Sequence, residues 1–209
     1  MPPRQSAKWQ GCRRLYKRRI NIHGRYTSVD KKQEILDFWF SEIERTDWYR
    51  KSDSFDAIMR QRFSADVDNA LEGRLDDWAR APDGRLALIL LLDQMTRNLF
   101  RDTPRAFAGD EMALGLSQAA VAESQVEQEL NVFRRIFLLM PFMHSEDMAV
   151  QQKSVTLFAK YADANSTDFA QRHLSLIEQF GRFPHRNKIL GRASTDAEKE
   201  YLAQPDAGF

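Results

Sequence analysis

Several things are scarce in this chain of 209 residues, and each scarcity removes a class of protein. There is one cysteine, Cys12, so neither a disulfide framework nor a cysteine-based zinc site can form, which suits a reducing compartment. No apolar run approaches the roughly 20 residues that a membrane helix needs. No apolar stretch follows the basic start, which argues against a secretory signal. No segment alternates polar and apolar residues between turn signals, as half-buried strands do. No serine or cysteine stands at motif spacing from a base, which argues against covalent catalysis. No self-similar period near 34 residues is visible, so a regular repeat is not supported by the residues alone.

Acid is absent from residues 1–29, which carry Arg4, Lys8, Arg13, Arg14, Lys17, Arg18, Arg19 and Arg25. The net charge of +1 therefore hides an acidic body, with 23 basic residues against 30 acids from Asp30 onward. Such a body is not a general nucleic-acid binder, because phosphate contacts need a basic excess. The first 29 residues read as a flexible extension or a start-site artefact, as an organelle presequence, or as an arm for nucleic acid or a membrane surface. The expected location is the cytoplasm, with organelle import through residues 1–29 as the alternative.

What is present is helical periodicity. Thr27 and Asp30 open a helix with Ile35, Leu36, Trp39, Phe40 and Ile43 on one face. Asp47 to Ser52 reads as a loop, and Phe55, Met59, Phe63, Val67 and Leu71 then recur every four residues. A turn at Pro82-Asp83-Gly84 precedes Leu86–Leu92, which is apolar on every side and therefore a buried helix. Thr103-Pro104 starts a helix that continues to about Ser124. Asn131 caps Val132–Met140, which Pro141 ends or kinks. Ser145 and Ser166 cap the next two helices, Gly181 stops the second, and Thr195-x-x-Glu198 boxes the last. Eight or nine helices with short loops and no sheet predict an all-α array of antiparallel pairs, a single domain over residues 30–209.

Three polar constellations interrupt this pattern. The buried helix turns polar without ending, and Asp93, Arg97 and Arg101 stack on one face with Gln94 and Asn98 beside them. Arg97 and Arg101 offer forked donors one turn apart, the equipment of an anion clamp, or else an internal ion pair with Asp93. Arg105, Phe107 and Asp110 complete its wall. His144-Ser145-Glu146-Asp147 combines helix-start chemistry with an imidazole beside carboxylates, a candidate acid/base. Glu146 and Asp147 point about 100° apart on a helix, so a metal site is the weaker version. Gly181-Arg182-Phe183-Pro184-His185-Arg186-Asn187 is a turn with free backbone N–H groups beside two arginines and a histidine, suited to an anion. His173 reads as a core histidine, and Trp39, Trp48 and Trp78 as packing.

Taken together, LLLDQMTRNLFRDTPRAFAGD, MPFMHSEDMAVQQKSV and FGRFPHRNKILGR resemble the bacterial family called domain of unknown function 924. DFWF, SFDAIMRQRF, LDDWARAPDGRLALILLLDQ and the closing Gly208-Phe209 extend the resemblance over about residues 35–209. It implies a tetratricopeptide-like superhelix with a concave groove, and implies no reaction. Met95-Thr96 stands where that family usually has Phe-Pro, Met143 where it often has an acid, and Val150 where it usually has one. The missing acids beside His144 weaken a metal site further, so no metal and no cofactor is expected.

Three functions fit these residues. The first is a module binding an anionic ligand or peptide through Asp93, Gln94, Arg97, Asn98, Arg101, Arg105, Arg182, Arg186 and Asn187. The second is a hydrolase or lyase acting without a covalent intermediate. There His144 or His185 is the acid/base, Glu146 or Asp147 orients it, and the arginines stabilise charge. The third is a buried polar lock with no ligand. The residues leave enzyme status and oligomeric state open.

Overall fold

The computed structural model of the protein describes residues 30–205 and 207. The basic segment 1–29, including Thr27, and the closing Gly208-Phe209 lie outside the described residues. Every regular element among the described residues is helical, and there is no strand. None of these helices is long and apolar enough to cross a membrane. Two compact units divide the described residues, one ending at Lys51 and one beginning at Ser52.

The first unit opens with α1 (Lys31–Asp37), whose N-terminus is capped by the Asp30 carboxylate accepting from the Lys32 N–H. A wider π turn, Phe38–Glu42, follows directly. Ile35, Leu36, Phe38 and Trp39 are buried. The stretch expected as a loop begins with a 3-10 turn, Arg45–Trp48, boxed by Glu44 and Asp47. It is tied down by the Trp48 indole N–H donating to the Trp39 carbonyl at 3.0 Å.

The second unit starts with α2 (Asp53–Leu71), capped by Ser52 and burying Phe55, Met59, Phe63 and Val67. After a 3-10 turn at Asp76–Arg80 comes α3 (Pro82–Ile89). Pro82 and Gly84 are thus inside a helix and not a closing turn. Proline has no N–H to lose in the first helical turn, and its fixed φ already suits one. The axis continues through a π turn, Leu90–Met95, into α4 (Thr96–Leu99). Leu86 to Leu92 are all buried, as their unbroken apolarity demands. A π turn shifts the hydrogen-bond register and leaves carbonyls without their usual partners. Here side chains from the next turn answer them. Thr96 Oγ1 donates to the Leu92 carbonyl at 2.7 Å, and Arg97 Nη1 to the Asp93 carbonyl at 2.6 Å.

The single helix expected from Thr103 to about Ser124 is two pieces, a 3-10 turn Pro104–Phe107 and α5 (Asp110–Ala122). The break lies at Gly109. A Cβ there would stand 2.9 Å from both the Cα and the carbonyl carbon of Leu92 and closer still to its oxygen. The chain therefore passes against the π turn where no side chain fits, and Asp110 follows at once. After α6 (Gln125–Gln128) comes α7 (Val132–Met143), capped by Asn131. Pro141 does not end α7 but sits in its last turn.

Next is α8 (Met148–Tyr161), capped by Asp147, which accepts from the Val150 N–H at 2.9 Å. Ser145, the expected cap, instead accepts from the Asp147 N–H at 3.2 Å. Likewise α9 (Ala164–Phe180) is capped by Asp163 and not Ser166, whose N–H is the donor at 2.7 Å. In both places a carboxylate nearer the true start wins over a hydroxyl, since it is the stronger acceptor for an N–H at the positive helix end. Gly181, at φ +69°, ends α9 in a left-handed step. A 3-10 turn Pro184–Arg186 leads to α10 (Asp196–Leu202), which carries the expected Thr195–Glu198 box.

The heaviest packing joins α7 to α8 and α8 to α9. Their connections, residues 144–147 and 162–163, are too short for anything but antiparallel hairpins. The buried α3 lies against α5 and α7.

Gly109→Ala is expected to lower the urea midpoint by an amount equivalent to about 1–3 kcal/mol, because an added methyl overpacks backbone that cannot move freely. Gly115→Ala, in α5 with nothing within 4 Å of the new methyl, is the control and should raise it by up to about 1 kcal/mol.

Candidate functional site

The site is built around Asp93. Its side chain is fully buried, on the π turn that ends the apolar helix. A carboxylate without water must be answered by donors, and three residues answer it. His144 Nδ1 lies 2.6 Å from Oδ1, the Gln94 amide donates to Oδ2, and Arg97 Nη1 stands 3.2 Å from Oδ1. Burial opposes the charge, but His144 and Arg97 outweigh it and hold the carboxyl well below the usual range. Asp93 is therefore ionised and accepts only, so the hydrogen between it and His144 belongs to Nδ1.

Arg97 then reaches outward. It forks onto Asp110 through Nη1 at 2.8 Å and Nη2 at 3.0 Å. Arg186 joins from the other side, with Nη1 at 3.2 Å from Asp110 and Nη2 donating to the His144 carbonyl at 2.9 Å. Its guanidinium stands 4.7 Å from the ring centres of Phe107 and of Phe183, a cation between two π faces. Burial, then the neighbouring Arg97, lower its ordinarily very high value to about 10. Solvent reaches the outer edge of the group: the side chains of Arg97, Asp110 and His144 are 20%, 23% and 16% exposed, and Arg186 only 8%.

His144 occupies the C-cap of α7, where helix carbonyls have no helical donors. Gln151 on α8, itself fully buried, supplies one. Its amide nitrogen lies 2.6 Å from the Ser145 carbonyl, 2.7 Å from that of Met143 and 3.4 Å from that of Phe142. With Arg186 on the His144 carbonyl, four successive carbonyls around the histidine are held by two side chains. Burial lowers His144 from its ordinary value and Arg97 adds to this, against the pull of Asp93 and Asp110. The imidazole is thus neutral near pH 7, with Nε2 unprotonated. Among the described residues no hydrogen bond engages that nitrogen.

Behind His144 lie His173, ring centres 6.2 Å apart, and then Phe183 and His185. His173 Nδ1 lies 2.8 Å from the Phe169 carbonyl, and burial chiefly pushes its value down to about 3. His185 stacks on Phe183, and burial followed by Arg186 pushes it down to about 4.

The remaining candidates are engaged elsewhere. Asn98 and Arg101 both bind Asp56 on α2, Arg101 in a fork at 2.9 and 3.0 Å. Arg105 pairs with Asp68. Arg182 forks onto Glu198 at 2.6 and 2.9 Å, holding that carboxyl below its usual range. Glu146 accepts from the Phe183 N–H and from a fork of Arg192. Asn187 donates to Ser194 at 3.1 Å. Asp147 is a helix cap. Asp56, Arg192 and Gln151 carry no signal in the sequence, since their partners lie 6 to 46 positions away. Among the described residues no group of His, Cys, Asp and Glu has a metal-binding arrangement.

This is an all-helical protein with a balanced, partly open polar cluster at the broken end of its central helix. The chain belongs to a bacterial protein family of unknown function, DUF924, whose model matches residues 35–206. It is similar in structure to a protein of unknown function from Agrobacterium tumefaciens, with 35% identity and a TM-score of 0.78. The likeness covers 82% of this chain and 96% of that one. No curated protein matches it.

Replacing Gln151 by leucine removes the donor from the carbonyls beside His144. The cost should be about 2 kcal/mol or more in chemical denaturation, the desolvation of buried acceptors left unmade. Acid should also weaken the fold in a defined window. His173 and His185 titrate near 3 and 4 when folded and near 6.5 otherwise, so unfolding takes up protons below about pH 6.5. Stability present above that value is lost as pH falls, by about 2 kcal/mol per histidine at pH 5. His173→Asn should remove its share of that slope in urea titrations run across pH.

Proposed function

We propose that the protein binds a small anionic ligand at the exposed edge shared by His144 and Arg97, in a helical array of the tetratricopeptide-like kind that the family resemblance implies. The observation that carries this is the Asp93–His144 pair. A buried carboxylate fixes one ring nitrogen at 2.6 Å and leaves the other turned away from it, with no hydrogen-bond partner among the described residues. A histidine held by a buried acid, beside a guanidinium and open to water, is equipped to receive a ligand atom and exchange a proton with it. His144 fits this role better than His185, which is stacked on Phe183.

A second reading rests on its own observation. Arg97, Arg101, Arg182 and Arg186 each already face a carboxylate, as a polar lock without ligand requires. The same pairing makes Arg97→Ala a poor test, because it strands the charge of Asp93 under either reading. His144→Asn is cleaner, since its amide can still donate to Asp93 while the far nitrogen disappears. A thermal-shift screen of phosphates, nucleotides and small carboxylic acids at fixed ionic strength decides the matter. At least one anion should raise the melting temperature of the natural chain and not that of the folded variant. No shift with any of them leaves the lock.

A further inference from the structure

We propose that an anion enters this site together with a proton, which His144 takes up on Nε2. The inference rests on the ligand reading above and follows from the charges that face the imidazole. Asp93 on the π turn and Asp110 on α5 contribute two negative charges; Arg97 on α4 and Arg186 in the 184–186 turn contribute two positive ones. His173 on α9 and His185 beside Arg186 are neutral rings at ordinary pH. Glu146, which acts on Arg186 and His185, is paired with Arg192 and adds no net charge, and Gln94 and Gln151 carry none. The cluster is balanced with His144 uncharged. An added anion in a half-buried place needs a positive charge to meet it.

Neither guanidinium has charge in excess, since Arg97 is matched by Asp93 and Asp110 and Arg186 by Asp110. Arg97 spends both terminal nitrogens on Asp93 and Asp110, and Arg186 divides its own between Asp110 and the His144 carbonyl. His144 can supply the charge. Its Nε2 lone pair forms a new N–H bond with a proton from solvent or from the acid form of the ligand. Nδ1–H stays on Asp93, and the ring becomes an imidazolium braced by that carboxylate. The new N–H then donates to the anion, a charge-assisted hydrogen bond. The ligand class is therefore an oxyanion taken up as its acid, proton and anion bound as one.

Calorimetry tests this with acetate and with sulfate, neither of which changes charge between about pH 6 and pH 8. Titrations run in two buffers of different ionisation heat give the protons exchanged. One proton should be taken up per anion bound. Between the titration points of free and occupied His144, affinity should fall about tenfold per unit rise in pH. In His144→Asn, which keeps the donor to Asp93, any remaining binding should be independent of pH and of buffer. Binding without proton uptake overturns the inference and leaves the site as a plain anion site. Proton uptake that persists in His144→Asn overturns it too, since the proton then goes elsewhere. No binding of either probe also overturns it, and the wider screen above decides separately whether the ligand reading stands.

Discussion

A carboxylate cut off from water sets the terms for everything around it, and in this protein that carboxylate is Asp93. Its charge has to be met inside the fold, so segments from three parts of the chain converge on it. His144 comes from the end of α7, Arg97 from the turn after the π segment, and Arg186, through Asp110, from beyond α9. Removing any one of them leaves a buried charge short of a partner, which costs more than the pair contributes when complete. The cluster therefore fixes how the second half of the molecule closes, whatever else it does.

Backbone bookkeeping and site geometry are the same problem here. At the π turn, Thr96 and Arg97 donate to the carbonyls of Leu92 and Asp93. Around the end of α7, Gln151 and Arg186 donate to four more. Arg97 and Arg186 thus serve both the backbone and the charged cluster, Arg97 doing both through Nη1 and Arg186 through its two terminal nitrogens. The imidazole between them keeps a ring nitrogen that no hydrogen bond among the described residues engages.

Much of the fold was legible from spacing alone. Apolar residues every three to four positions located the long helices, and the fully apolar Leu86–Leu92 marked the buried one. Caps were harder. Ser145 and Ser166 look like helix starts, but Asp147 and Asp163 lie closer to the first free N–H groups and are stronger acceptors. The break at Gly109 was invisible, because what forbids a side chain there is backbone of another segment. At the site, Asp93 and Arg97 stand out as charge continuing an apolar helix, His144 as an imidazole beside carboxylates, and Arg186 as part of a basic turn. Their sorting into one shared cluster, with Arg101 and Arg182 sent to Asp56 and Glu198, depends on partners across the fold that no local pattern encodes.

The π turn has one further consequence. It holds one residue more per loop of backbone than the helices on either side. Were the same six residues, Leu90–Met95, wound as ordinary α-helix, everything after them would swing by about 100°. Arg97 would then leave Asp93, and Asn98 and Arg101 would leave Asp56, in one stroke. The wide turn thus absorbs the extra residue and keeps the angular phase between the greasy half of the rod and its charged half.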